Sequence, residues 1–317
     1  MLNPYLKEYQ WSNIFAMIKN LNLDPKVCTD EFQHRLVVIT GATSGIGYVT
    51  AKKYAAHGAD LLLVNRSQKK SEELCAELRG EFNTNCSYII SDFSKLSDVH
   101  SAARQLAALQ RNIDVLIHNA GVYLTKKKLT EDHLEAVFQT NYLSTFILNY
   151  YLLEKLKSQN SGRILFVNSE AYRFAVSGLH FDDLFWNQHR YSGLKSYGAA
   201  KLAQLLLMIK LNNYYQGTGV TVNAMHPGNV KTNSGQDNGW LYKKFKSIFI
   251  DRSARPLEVA AEALYYLGVS SELDHVSGKF FNLTTIEEPA PPALDINAAE
   301  KLWKISIDLS DLYEKSK

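Results

Sequence analysis

Short apolar runs alternate with longer amphipathic ones through most of this chain. Arg35-Leu36-Val37-Val38-Ile39-Thr40 is an almost unbroken β-branched run, the pattern of a strand buried on both faces. Similar runs return at Asp60 to Asn65, Cys86 to Ser91, Ile113 to His118, Arg163 to Asn168 and Val220 to Met225, with a short last one at Lys279 to Asn282. Helical spacing fills the intervals: up to His57, Ser71 to Arg79, about Ser97 to Leu109, about Thr130 to Lys157, Leu194 to Tyr215, and Glu258 to Leu267. Strand and helix in repeated alternation predict a doubly wound parallel sheet with helices on both faces. Residues 35–286 read as one domain. Residues 1–34 read as a helical extension, in which Trp11, Ile14, Phe15, Ile18 and Leu21 share a face. That face either packs on the domain or meets a membrane surface or a partner. Residues 287–317 read as an extended connector and a helix packed back through Ala299, Leu302, Ser306, Leu309 and Tyr313.

Composition narrows this further. The chain has 317 residues and is 46% hydrophobic, enough for a large single core. Its 35 basic residues nearly balance 32 acidic ones, which argues against a nucleic-acid partner. Lys126-Lys127-Lys128 reads as a solvated loop. Cys28, Cys75 and Cys86 show neither metal-ligand spacing nor an even framework, so no metal is expected and reduced thiols in a cytoplasmic setting are. No run reaches the ~18 apolar residues of a spanning helix, and the N-terminus lacks the pattern of a secretory signal.

The polar residues carry the chemistry. The first strand runs into Gly41-Ala42-Thr43-Ser44-Gly45-Ile46-Gly47 and then a helix. Strand, glycine turn and helix N-terminus form a phosphate-binding context, because the backbone can approach closely and the free N–H groups favour an anion. This makes the predicted fold Rossmann-type. Other polar clusters fall at the carboxyl ends of the strands, where ligands of such sheets bind: Asn65-Arg66, Asp92, Asn119-Ala120-Gly121, Ser169 and His226-Pro227-Gly228. Tyr197 and Lys201 stand four apart at the start of a long helix, so phenol and ammonium share a face. A nearby cation favours the phenolate, bringing a tyrosine towards useful acid–base range. The second strand ends in Asn65-Arg66-Ser67 with no acid. A carboxylate there suits a free ribose 2′-hydroxyl, whereas Arg suits a 2′-phosphate. The cofactor expectation is NADP(H); the alternative for Arg66 is an exposed loop charge.

Taken together, TGATSGIG at 40–47, Asp92, NAG at 119–121, Asn141 in TNYLS, Ser169, YGAAK at 197–201 and HPG at 226–228 resemble the short-chain dehydrogenase/reductase family from about Arg35 to Asn282. LHFDDL at 179–184, the long stretch between Ser169 and Tyr197, SGKFF at 277–281 and the tail with Leu302-Trp303 resemble its retinol-dehydrogenase-like branch. The resemblance implies Tyr197 as acid–base, Lys201 as its cationic neighbour and a ribose ligand, Ser169 as hydrogen-bond donor to the reacting carbonyl, and Asn141 as holder of a relay water. It implies Gly41, Ser44, Gly45, Ile46 and Gly47 at the pyrophosphate, Asp92 with Phe93 at the adenine, and Asn119, Ala120 and Gly121 at the adenosine side. It implies Pro227, Gly228 and Val230 at the nicotinamide. Two departures stand out: Asn168-Ser169 replaces a common Ser-Ser pair, and Glu170 follows directly. The implied reaction is hydride transfer with a carbonyl or alcohol. Tyr172, Phe174, Phe181, Phe185, Trp186 and Tyr191, then Trp240, Tyr242, Phe245 and Phe249, either wall a lipophilic pocket for a retinoid, steroid or similar substrate or serve as packing. Reduction of a carbon–carbon double bond, and a catalytically silent NADP sensor or scaffold, are the competing readings. The helices around Asn141 and Tyr197 offer a homodimer face, unless the added termini cover it.

Overall fold

The structure, a computed structural model, describes residues 3–9, 20, 23–230 and 255–312. Among these residues eight strands form one sheet: β1 (Leu36–Thr40), β2 (Asp60–Asn65), β3 (Cys86–Ile90), β4 (Val115–His118), β5 (Gly162–Val167), β6 (Val220–His226), β7 (Phe280–Asn282) and β8 (Thr285–Glu287). Their order is β3-β2-β1-β4-β5-β6-β7-β8. All neighbouring pairs are parallel except β7 and β8.

The unbroken apolar runs have a direct cause. Every residue of β1, β2 and β4 is buried, because both sheet faces are covered. Val37, Ile39, Leu61, Leu63, Val115 and Ile117 enter one core layer. There they meet α1 (Gly45–Ala56), α2 (Gln68–Phe82) and α6 (Leu257–Val269). Leu36, Val38, Leu62, Val64 and Leu116 enter the other, against α3 (Leu96–Ala107), α4 (Ser144–Gln159) and α5 (Gly193–Tyr214). Alternate side chains along one strand feed opposite cores. The strand order reverses between β1 and β4, which opens a crevice at their carboxyl ends.

Two expectations change. The helix expected from about Thr130 begins later: Leu129 and Glu135 form an isolated bridge, Ala136–Phe138 is one turn of helix, Gln139–Leu143 is a π turn, and α4 follows. Hydrophobic periodicity cannot register a single wide turn. The connector expected from Glu287 is a strand up to that residue, pairing Glu287 with Phe280, and its Pro291–Leu294 stretch is a 3-10 turn. The tail helix α7 (Ile296–Leu309) lies across α4 and α5. Trp303 packs edge-on against Phe146 at 5.0 Å between ring centroids, and the Ser306 and Tyr142 hydroxyls are 2.6 Å apart. Most of the expected N-terminal helix face, including Trp11, Ile14, Phe15, Ile18 and Leu21, lies outside the described residues, as do Trp240, Tyr242, Phe245, Phe249 and Tyr313. Among the described residues no helix is long and apolar enough to cross a membrane.

Candidate active site

The glycine turn leaves β1 with Gly41 at φ +69° and Gly45 at +60°, a region most side chains avoid. A β-carbon on Gly41 would stand 2.9 Å from Ala120 Cα, and one on Gly47 would stand 2.4 Å from the Gly41 carbonyl. These two glycines therefore let α1 and the Asn119 loop close against the turn. Gly45 differs: a β-carbon there would meet nothing within 4 Å. Ser44 precedes the helix in extended conformation, its side chain makes no cap, and the first turn carries no acid. The first N–H groups of α1 are thus left for an outside acceptor, with the helix dipole behind them. This cradle fits a phosphate.

Several residues expected at the cofactor brace the turn. Asn65 is buried; its Oδ1 accepts from the Ala42 N–H at 2.7 Å and its Nδ2 donates to Ser71 at 3.1 Å. Both ends of the Asn65 amide are thus spent on the turn and on α2. The Asn119 amide donates to the carbonyls of Thr40 and Gly41 at 3.0 and 2.8 Å. Thr40 Oγ1 accepts the Asn119 and Ala120 N–H groups, both at 3.0 Å. Asp92 accepts from the N–H and hydroxyl of Ser94, and Phe93 is buried. Arg66 is exposed and forms no hydrogen bond or ion pair with another described residue. Ser67 next to it caps α2, accepting from the Lys70 N–H. Pro227, Gly228 and Val230 are buried beyond the end of β6, with Gly228 at φ +73°.

Tyr197 and Lys201 lie in the first turns of α5, capped by Ser192. Lys201 Nζ is 5.6 Å from the centre of the Tyr197 ring. The Tyr123 ring packs edge-on to Tyr197 at 5.6 Å. Lys201 is buried, and burial pulls its ammonium down to about 7. It donates to the Val167 carbonyl at 2.7 Å and to Gln204 Oε1 at 3.1 Å. Ser169 begins a 3-10 turn, Glu170–Phe174, and its Oγ accepts the Ala171 N–H at 3.2 Å. That turn presses on α5 beside Tyr197: a β-carbon on Gly198 would lie 2.5 Å from the Ala171 carbonyl oxygen. Gly198 is thus what permits this closeness.

Asn141 sits in the π turn, fully buried. Its side chain pairs both ways with the Val122 backbone, at 2.7 and 2.9 Å. Its carbonyl accepts from Gln204 Nε2 at 2.7 Å. The sequence reading overlooked Gln204, whose amide joins Asn141, Lys201 and Asn168. This side chain connects the Asn141 carbonyl to the Lys201 ammonium. Its only sequence signal was its place one turn beyond Lys201. Asn168, read as a mere departure, accepts the Ser169 N–H at 2.8 Å and donates to the Lys201 carbonyl at 3.0 Å.

Comparison with known proteins matches this geometry. Residues 35–180 match the short chain dehydrogenase family. Human retinol dehydrogenase 13 is 36% identical over 284 residues, covering 88% of this chain and 85% of that protein. The chain belongs to the short-chain dehydrogenase family. The chloroplastic short-chain dehydrogenase TIC 32 B of Brassica napus is 32% identical over 292 residues, covering 88% and 89%. An uncharacterised Mycobacterium paratuberculosis protein of known structure aligns over 89% of this chain and 95% of its own, at 27% identity and TM-score 0.69. Membership makes the protein an oxidoreductase of the short-chain type, working on carbonyl or alcohol groups.

Proposed function

We propose that the protein uses NADP(H) to interconvert a lipophilic carbonyl compound and its alcohol, as a member of the retinol-dehydrogenase-like branch. The observation that carries the reading is the pairing of an uncapped α1 N-terminus with an unpartnered, exposed Arg66 at the end of β2. Gly41, Ser44, Gly45, Ile46 and Gly47 would hold the pyrophosphate, and Arg66 the 2′-phosphate. Asp92, Phe93, Ala120 and Gly121 would border the adenosine; Pro227, Gly228 and Val230 the nicotinamide. When bound, the cofactor supplies or accepts the hydride. Tyr197 donates or takes the proton at the substrate oxygen, and Ser169 donates a hydrogen bond to the same oxygen. Lys201 favours the phenolate and meets the ribose hydroxyls, while Asn141 and Gln204 hold Lys201 in register. Tyr172 is buried against Phe280 and belongs to the core, so it does not wall the substrate. Retinol dehydrogenase 13 supports the retinoid-like class. α7 packs on α4 and α5, the helices suggested for a homodimer face, so light scattering should find a monomer.

The test is titration of NADPH and NADH into wild type and Arg66→Ala. A charged hydrogen bond contributes roughly 1.5–3 kcal/mol net, so NADPH binding should weaken about 10- to 150-fold with NADH unchanged. A wild type preferring NADH would overturn the cofactor assignment. A panel of apolar aldehydes and ketones, followed through loss of NADPH absorbance, tests the substrate class.

A further inference from the structure

Glu170, directly after Ser169, turns away from the catalytic groups into a buried polar cluster. Its Oε2 is ion-paired with Arg173 Nε on the same 3-10 turn. Its carboxyl group also lies within hydrogen-bond reach of the Glu287 carboxyl, on β8. Glu287 Oε1 accepts from Asn20 Nδ2 at 2.9 Å and from Asn282 Nδ2 at 3.0 Å. The other oxygens, Glu170 Oε1 and Glu287 Oε2, are buried and have no hydrogen-bond partner among the described residues. Two carboxylates thus face one guanidinium, and each keeps one oxygen that only a donor can satisfy.

The charge balance is informative. With both acids ionised the cluster holds one uncompensated negative charge away from water, which is costly. One proton placed between the carboxyls removes that charge and satisfies both oxygens, as in other carboxylate pairs that cannot both ionise. Among the described residues the remaining neighbours supply no second cation. His226, at the end of β6, is kept neutral at ordinary pH: burial, and then the Arg173 charge, pull it down to about 4. Tyr172 lies under the Arg173 guanidinium, 5.0 Å from it, and its hydroxyl accepts the Ala290 N–H. Tyr9 is raised by burial and stays a neutral phenol. Burial, together with Glu287, raises the Glu170 carboxyl against the opposing pull of Arg173.

We propose that Glu170 and Glu287 share one proton, and that this acid pair is a positioning device that holds the Ser169 turn against α5. The second half rests on the function proposed above; the first does not. Loss of the proton sets two like charges against each other at the residue following Ser169, and the turn that carries the serine hydroxyl shifts. The pair also ties that turn to β8 and, through Asn20, to the N-terminal segment.

The sign of the pH effect follows from linkage. A carboxyl raised in the fold contributes stability fully below its unfolded value, lost as pH rises through the folded one. Urea unfolding of wild type, Glu170→Gln, Glu287→Gln and the double variant from pH 5 to 9 reads it without activity. Subtracting either single variant from wild type removes the other titrating groups. The wild-type midpoint should fall with rising pH relative to each single variant, whose amide replaces the shared proton and leaves one anion for Arg173. The double variant strands Arg173, so its midpoint should drop by more than the two single shifts together. Parallel pH curves for wild type and single variants would overturn the shared proton, and additive losses would overturn the common pairing with Arg173. The pH profile of NADPH-dependent turnover then tests the serine. The alkaline limb should move up by at least one pH unit in Glu170→Gln, with the KM for NADPH within twofold of wild type. An unmoved limb overturns the positioning role. A wild type that turns over no carbonyl refutes the proposed function, while the urea series still judges the pair.

Discussion

Replacing Gly198 with alanine should damage chemistry far more than it damages folding or cofactor binding. The new β-carbon would lie 2.5 Å from the Ala171 carbonyl oxygen and 3.2 Å from Phe174 Cβ. Carbon–oxygen contacts of this kind settle near ~3.3–3.6 Å, so α5 and the Ser169 turn must separate by about 0.8 Å or more. Overpacking costs about 1–3 kcal/mol, but alanine recovers ~1 kcal/mol of helix propensity over glycine. The net loss of stability is therefore about 0–2 kcal/mol, a small change in melting temperature. The catalytic loss is larger, because Tyr197 is on one side of the widened contact and Ser169 on the other. A misplacement near 1 Å costs up to ~10²-fold in rate. The glycine turn and Arg66 are remote from this contact, so NADPH affinity should stay within a factor of about two to three, the scatter usual for a distant, independent site. Three measurements decide it: thermal unfolding, fluorescence titration with NADPH, and kcat on a substrate from the carbonyl panel. A Gly198→Ala protein that keeps kcat within about threefold of wild type, well short of the loss expected for such a displacement, would show that the contact does not set the serine–tyrosine geometry. Parallel loss of NADPH binding would point to general damage instead.

The other predictions bear on separate parts of the site. Tyr197→Phe keeps the ring against Tyr123 and removes only the hydroxyl; turnover should fall ~10²–10⁴-fold with NADPH affinity retained, as checked by kcat and titration. Lys201→Met should abolish turnover and also change the pH dependence of stability. Folded Lys201 titrates at about 7, far below the ordinary lysine value, so in between the unfolded chain holds the extra proton and stability rises with pH. The wild-type urea midpoint should climb from pH 7 to 10 relative to the Met variant, and a constant difference would refute the lowering of the lysine by burial. Gly47→Ala forces a β-carbon to 2.5 Å from Asn119 Nδ2 and should cost about 1–3 kcal/mol in the free protein. Gly45→Ala meets open space and pays only ~1 kcal/mol or slightly more for its positive φ. It should nevertheless lose NADPH binding, since that space is where the phosphate would go.

The sequence by itself determined the layers. Apolar runs such as Leu36–Thr40 and Asp60–Asn65 are local signals, and their near-continuous burial follows from a parallel sheet covered on both faces. The order of strand and helix, the glycine turn before α1, and the spacing of Tyr197 and Lys201 were legible for the same reason: each depends on residues a turn or two apart. Tertiary structure decided which polar side chains face the crevice and which are spent inside. Asn65 and Asn119 look like ligand contacts in the sequence, yet their amides hold backbone groups of the turn 23 and 78 residues away. Gln204 looks like helix filler, yet it joins Lys201 to a carbonyl 63 residues away. Glu170 looked like a departure, and its partner Glu287 lay in a stretch read as connector. Hydrogen-bond partners of this kind are chosen by the fold that brings distant segments together, and no local periodicity encodes them. The closeness of the Ser169 turn to α5 has the same origin: Gly198 is one small residue in a long helix until the Ala171 carbonyl arrives against it.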